Sequence, residues 1–187
     1  MAFFGHYRVF GKREVSTLDN MTLLHPRVRE TVASFSEPLE VLSCEAELAD
    51  TEVFCRHYGF SLDDSANTIV VKGKRGEETR YAACVVLATT RLDVNRVVRK
   101  RLGVRRMSFA SAEETRDLTG MEIGGVTAPG LPPELPLWVD DKVMEREFVL
   151  LGGGNRRCKL KAPPSLLLAL PGVEVVAEMA GYRNRQT

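Results

Sequence analysis

The sequence predicts an α+β domain built on a mixed sheet, and three observations carry that reading. Two runs rich in β-branched residues, Thr68–Val71 and Tyr81–Leu87, flank a polar loop with two glycines, Gly73 to Glu78, as a hairpin requires. Helical and strand-like segments alternate irregularly, unlike the regular βαβα order of a doubly wound parallel sheet. The 187 residues are 44% hydrophobic and 27% charged, a balance that suits one core and excludes disorder, collagen-like repeats and a disulfide-stapled miniprotein.

In chain order, residues 1–20 mix aromatic and basic residues without a period and read as an N-terminal appendage, with Met21 a candidate start for the compact part. Val28, Thr31, Val32 and Phe35 fall at i, i+3, i+4 and i+7, the spacing of a helix opened by Pro26. Leu39 to Ser43 reads as a short strand. Leu48 to Tyr58 reads as a helix stopped by Gly59. After the hairpin, Asp93 caps a helix that turns Val94, Val97, Val98 and Leu102 inward and ends at Gly103. Ser111 and Glu114 form a capping-box pattern for a short helix ending at Gly120. Gly and Pro then dominate up to a strand over Glu147–Leu151 and the triple glycine Gly152-Gly153-Gly154. A brief helix over Leu166–Leu170 and a last strand over Val173–Val176 complete a domain of residues 21–180, followed by a basic tail, 181–187.

Four cysteines without a C-x-x-C pair and only three histidines make a metal site or a catalytic triad improbable, so no metal and no cofactor are expected. The apolar runs fall far short of the ~20 residues of a membrane-crossing helix. No secretory signal is visible in the first ten residues, and a cytoplasmic protein without a membrane partner is expected. Charge is uneven although the net is only +1. Glu37 to Asp64 holds eight acids and one base, whereas Arg91 to Arg106 holds seven bases and one acid. Arg156, Arg157, Lys159 and Lys161 form a second basic knot. Such asymmetry makes either a phosphate-binding face or a solvated helix face. The glycine clusters Gly120–Gly125 and Gly152–Gly154 match neither a P-loop nor a dinucleotide fingerprint. They serve either as backbone donors to a ligand or as turns at strand ends.

Ser65-Ala66-Asn67-Thr68-Ile69-Val70-Val71, Arg91-Leu92-Asp93-Val94 through Leu102-Gly103, Thr119-Gly120 through Gly124-Gly125-Val126-Thr127 with Gly130, Leu135-Pro136 through Asp140, and Gly153-Gly154-x-Arg156 follow one another in a fixed order. This order resembles the YbaK / prolyl-tRNA synthetase-associated (INS-like) aminoacyl-tRNA editing domain, from about Gly59 to Pro171. The resemblance implies a mixed, partly barrel-like sheet with peripheral helices. It also implies an aminoacyl-tRNA deacylase acting in trans, with mischarged tRNA as substrate and a synthetase as a partner. The family often acts on tRNA-Pro carrying Cys or Ala. Four places depart from its pattern. Asn67 stands where the family commonly has a lysine tied to deacylation, Ala128 stands where a proline usually follows, and around the triple glycine the family often has a serine near Gly152 and an acid near Lys159.

The resemblance and the glycine clusters together make Asn67, Gly124, Gly125 and Lys159 the catalytic candidates. Thr68, Glu122, Thr127, Asp140, Gly152, Gly153 and Gly154 are the substrate-binding candidates. Arg96, Arg99, Lys100, Arg101, Arg156 and Arg157 are expected to bind tRNA, with the first four beside the pocket mouth. Gly124 and Gly125 are expected to offer amides to the ester carbonyl, so that a Cβ at Gly125 would act on turnover and not on the fold. Strand alternation puts Ile69 and Val71 on the face of Asn67 and Lys72 on the other, which makes Lys72 a poor replacement for the family lysine. Either Lys159 reaches across the pocket toward Asn67 as a displaced cation, or it belongs to an exposed basic knot. The alternative to a deacylase is a non-catalytic tRNA- or partner-binding module of the same fold that lost its chemistry with the lysine.

Overall fold

The computed structural model describes residues 19–182. The elements run α1 (Pro26–Ala33), β1 (Glu40–Ser43), α2 (Thr51–Tyr58), β2 (Ala66–Arg75), β3 (Glu78–Leu87) and β4 (Thr90–Leu92), then α3 (Arg99–Leu102), β5 (Arg106–Phe109) and α4 (Ala112–Thr119). They continue as β6 (Leu137–Asp140), α5 (Asp141–Met144), β7 (Val149–Gly152), β8 (Cys158–Ala162), α6 (Ser165–Leu168), β9 (Val173–Val176) and β10 (Ala180–Tyr182). A mixed five-stranded sheet has the order β5-β2-β3-β6-β9, antiparallel around β2 and parallel from β3 to β9. An antiparallel sheet β1-β8-β7 packs against it, and β4 pairs with β10. The sheets close no barrel among the described residues.

Strand β3 is apolar on both sides because both faces of the five-stranded sheet are covered. Ala83, Val85 and Leu87 join Val28 and Val32 of α1, Leu151, Leu160, and Leu166 and Leu167 of α6 in one core. Ala82, Cys84 and Val86 join Trp138, Val98 and Leu102 in a second core under α3. A third, smaller cluster seats Phe54 and Cys55 of α2 on Leu150.

Several boundaries move from the sequence reading, each for a local reason. The hairpin turn is confined to Gly76-Glu77, and Gly73 lies inside β2. A Cβ there would stand 2.5 Å from Val104 Cγ2, so this glycine admits close passage of the chain leading into β5. The helix expected from Leu48 is split, because Asp50 is extended (φ −64, ψ 135) between a 3-10 turn at Ala46–Leu48 and α2. The helix capped by Asp93 begins as a π turn, Val94–Val98, before continuing as α3. Gly181 and Tyr182, assigned by sequence to the tail, pair with Arg91 and Thr90 in β10. The N-terminal appendage reading lies outside the described residues up to residue 18, as does the tail from 183.

The capping box is present: the Ser111 hydroxyl accepts from the Glu114 amide at 3.1 Å and the Glu114 carboxylate accepts from the Ser111 amide at 2.7 Å. The same carboxylate takes Lys72 Nζ at 2.6 Å and the Tyr81 hydroxyl at 3.2 Å, which fastens α4 to β2 and β3. Donation from Lys72 first, and from the Ser111 backbone second, holds Glu114 down from its ordinary 4.5 to about 2. A carboxylate with a depressed pKa stabilises the fold above its unfolded value and loses that contribution as it protonates. Acid unfolding is therefore expected to include a component between about pH 4.5 and pH 2 that Glu114→Gln removes. Parallel acid titrations of the wild type and the variant by circular dichroism would check it, and identical curves would show that the clamp contributes nothing.

Candidate functional site

β5 pairs with β2 only over Val71 to Lys74, so the edge of β2 from Asn67 to Ile69 is left open beyond the last β5 residue. A cavity of about 360 Å³ lies along that edge, between Phe109 and Ala110 on one side and Ile123, Gly124 and Val126 on the other. Behind it a smaller cavity of about 40 Å³ shares Thr51, Asn67, Gly124 and Val126 with the first, and adds Ser65, Gly152 and Lys159.

The residues of the inner cavity come from five segments: α2, the start of β2, the glycine loop, β7 and β8. Thr51 opens α2, and its hydroxyl donates to Asn67 Oδ1 at 2.9 Å, leaving the Asn67 Nδ2 hydrogens for the cavity. Lys159 is the second residue of β8, where the pattern Cys158-Lys159-Leu160 alternates core, cavity, core. Its side chain passes under α2, with Nζ 5.8 Å from the Phe54 ring centroid. Only 7% of Lys159 is exposed, and no carboxylate among the described residues is bonded to it. Burial pushes its amine below the ordinary lysine value, opposed by attraction to Cys44, Cys55 and Asp50 and assisted by repulsion from Arg156. The exposed-knot alternative thus does not describe Lys159. Lys161, two residues on along the same strand, pairs at the surface with Glu40 at 2.8 Å.

Gly124 has φ +89, and its N–H meets no acceptor among the described residues. A Cβ at this position would stand 2.1 Å from Arg156 Nη1. Gly125 differs from its neighbour. Its N–H donates to Glu122 O at 2.9 Å, and its carbonyl accepts from Gly154 N at 2.8 Å. The expectation that Gly125 offers its amide to substrate is corrected: that amide closes the loop's own turn. A Cβ on Gly125 would sit 2.2 Å from Asn155 O, and one on Gly152 would sit 2.3 Å from Gly125 O. These glycines let two backbones touch.

The remaining candidates separate. Thr68 lines the outer cavity, with its Oγ1 buried and unpartnered. Gly153 and Gly154 pack on Cys158 Sγ and the His25 side chain instead of facing either cavity. Thr127 is fully buried and away from both cavities. Asp140 is likewise fully buried, accepting from Ala180 N at 2.7 Å and Lys142 N at 3.3 Å, so it ties β10 to α5 and cannot reach a substrate. Glu122 accepts from Arg156 N at 3.2 Å outside the cavities.

Arg156 is built into the fold: its Nη1 pairs with Asp50 Oδ1 at 3.0 Å and its Nη2 donates to Ala46 O at 2.8 Å. Arg157 is exposed beside it. Arg96, Arg99, Lys100 and Arg101 line neither cavity, contrary to their expected place at the mouth. Arg101 pairs with Glu174 and lies 5.3 Å over the Trp138 ring, above strands two and three places from β2. Sequence reasoning did not single out Thr51, Phe54, Ser65, Phe109 and Ile123 as site residues: Ser65 and Ile123 stand inside the matched runs without a role of their own, and the other three reach the site only through tertiary packing. Among the described residues no group of three or more His, Cys, Asp or Glu is placed to hold a metal.

The model of the aminoacyl-tRNA editing domain family matches residues 45–170. Among solved structures, that of a proposed trans-editing enzyme for prolyl tRNA synthetase is 27% identical, with TM-score 0.68, over 82% of this chain and 97% of the other. The structure of the hypothetical protein APE2540 is 25% identical, with TM-score 0.72, over 83% of this chain and 99% of the other. No helix among the described residues is long and apolar enough to cross a membrane.

The contact of Gly125 with the Asn155 backbone makes a definite demand, because backbone cannot swing aside as a side-chain end can. Gly125→Ala is expected to lower stability by about 2–3 kcal/mol, the upper range for overpacking. Urea unfolding measures this. A wild-type midpoint with reduced turnover would instead restore Gly125 as a donor to the substrate.

Proposed function

The chain belongs to the aminoacyl-tRNA editing domain family, and from that premise we propose that it hydrolyses the ester of a mischarged aminoacyl-tRNA in trans. One observation carries the proposal. Lys159, Asn67, whose Oδ1 is already engaged by Thr51, and Gly124, whose N–H has no acceptor among the described residues, all line a small space with no carboxylate in its lining. Donors that face no anionic group are complementary to an oxygen that gains negative charge. The likeness to a trans-editing enzyme for prolyl tRNA synthetase supports mischarged tRNA-Pro as the substrate and a synthetase as the partner. The inner volume of about 40 Å³ favours a small aminoacyl group.

In the reaction, water adds to the ester carbonyl carbon and the carbonyl electron pair moves onto oxygen. Lys159 and the two neutral donors receive that oxyanion. Collapse of the tetrahedral intermediate breaks the bond to the ribose oxygen, which takes a proton and leaves as the tRNA hydroxyl with the free amino acid. No carboxylate or histidine lines the inner cavity, so the water's proton goes to solvent or to the substrate's own amino or hydroxyl group. Lys159 on β8 takes the part of the lysine that the family resemblance places at position 67, approaching the same space from another strand. Arg96, Arg99, Lys100 and Arg157 are the proposed phosphate contacts. The Arg96–Asp93 pair at 3.0 Å is exposed and can yield to phosphate, since such pairs contribute little. Arg101 and Arg156 hold the fold instead.

The test is Lys159→Met assayed beside the wild type on a panel of mischarged tRNAs. Turnover is expected to fall on the order of 100-fold, while stability is unchanged or rises by about 1 kcal/mol because a buried, unpaired charge is removed. A lysine whose folded pKa is lowered binds fewer protons in the folded state than in the unfolded one as pH approaches the ordinary value. Stability therefore rises with pH across that window in the wild type, and the variant lacks the rise. Wild-type turnover falls over the same window as the ammonium is lost. Tight tRNA binding with no hydrolysis of any panel member would identify a non-catalytic binding module.

A further inference from the structure

The mouth of the outer cavity carries a feature that the hydrolytic groups do not use. Phe109, the last residue of β5, is 56% exposed, and Ile123 in the glycine loop opposite it is 37% exposed. Both line the outer cavity, which also reaches Asn67 and Gly124. An aromatic ring left in water at the end of an edge strand loses the gain of burial and invites association, so its position at a cavity mouth calls for an occupant.

We propose that Phe109 and Ile123 form a platform for the 3′-terminal adenine of the tRNA, with Phe109 stacked on the base and Ile123 against its other side. The proposal rests on the deacylase reading and extends it to the nucleoside that bears the ester. With the ester carbonyl in the inner cavity, the attached ribose and its base can continue only into the outer one, because the two share Thr51, Asn67, Gly124 and Val126. The volume of about 360 Å³ falls within the range of small-molecule sites. Its lining also selects the occupant. No lysine or arginine is among the lining residues, and the one charged residue, Asp50, is already paired with Arg156 at 3.0 Å. Phosphate finds no partner there, whereas a flat neutral base finds an aromatic face, an aliphatic face and the uncovered edge of β2. Stacking of this kind accepts any base. The terminal nucleotide is the same in every tRNA, so the platform fixes the reacting end without choosing among tRNAs.

The probe is an uncharged tRNA with 2-aminopurine in place of the terminal adenine and a separate fluorophore at the 5′ end, titrated with the full chain. Anisotropy of the 5′ label reads binding, and 2-aminopurine emission reads stacking. The wild type and Phe109→Tyr are expected to quench the base on binding. Phe109→Ala is expected to bind about ten-fold more weakly, as the loss of one base–aromatic stack implies, and to leave the emission unquenched. Circular dichroism confirms that the variants fold. Binding without quenching in the wild type, equal quenching by Phe109→Ala, or no binding at all would each overturn the platform. Hydrolysis of the mischarged panel is scored separately. A quench abolished in Phe109→Ala alongside an inert panel would keep the platform and reject the deacylase, and the converse would do the reverse.

Discussion

Two loops that meet backbone to backbone set the geometry of the site. The loop Glu122–Val126 and the segment Gly152–Asn155 exchange hydrogen bonds, Glu122 N to Gly154 O at 3.1 Å and Gly154 N to Gly125 O at 2.8 Å. At that separation a side chain has no room at Gly125 or Gly152. Glycine is required here for close approach more than for unusual backbone angles, since neither residue has a positive φ. The contact brings Gly124 beside the start of β2, and it sets Gly152 and its β8 neighbour Lys159 behind it. Arg156 then bridges the arrangement to Asp50 and Ala46, just ahead of α2.

That scaffold maintains an arrangement that the fold alone would not favour. A lysine 7% exposed without a carboxylate partner costs free energy, and the depressed affinity of its amine for protons reflects the cost. Apolar packing could fill the same space, and the Phe54 ring already borders it. Under the proposed deacylase reading, a buried cation held among neutral donors would instead be ready for a charge that appears during reaction, when no solvent need reorganise around it. Burial raises the neighbouring thiols of Cys44 and Cys55 above their ordinary value, so they oppose the lowering of Lys159 without outweighing its burial.

The architecture was legible where local chemistry decides it. Ser111 with Glu114, Asp93 ahead of Val94, Gly59 and Gly103 in left-handed caps, and the β-branched hairpin all stand as the residues implied. Strand β8 was hidden because Arg156, Arg157, Lys159 and Lys161 read as a charged knot, although Cys158-Lys159-Leu160-Lys161-Ala162 alternates with a strand's period of two. The site was legible in part. Asn67, Gly124, Gly152 and Lys159 meet at one cavity, but Gly125, Thr127 and Asp140 serve the fold. Which of two adjacent glycines turns an amide outward depends on the partner loop, which lies about thirty residues downstream.

The basic stretch Arg91–Arg106 shows why charge counted along a sequence overstates a binding face. Arg101 is held by Glu174 and the Trp138 ring, Arg96 by Asp93, and Arg99 donates to Arg105 O. Several of its cations therefore already have partners, and the acids of Glu37–Asp64 are similarly engaged, Asp50 by Arg156 and Asp64 by Arg146. The surplus that remains at the surface governs long-range attraction to a polyanion, which falls with salt and is indifferent to position over a Debye length of about 10 Å. The reacting ester requires placement to a fraction of that length. Under the proposed reading attraction and placement are thus divided between different parts of the molecule: the exposed arginines would gather tRNA, and the mouth between Phe109 and Ile123, which holds no lysine or arginine, would take its terminal nucleoside.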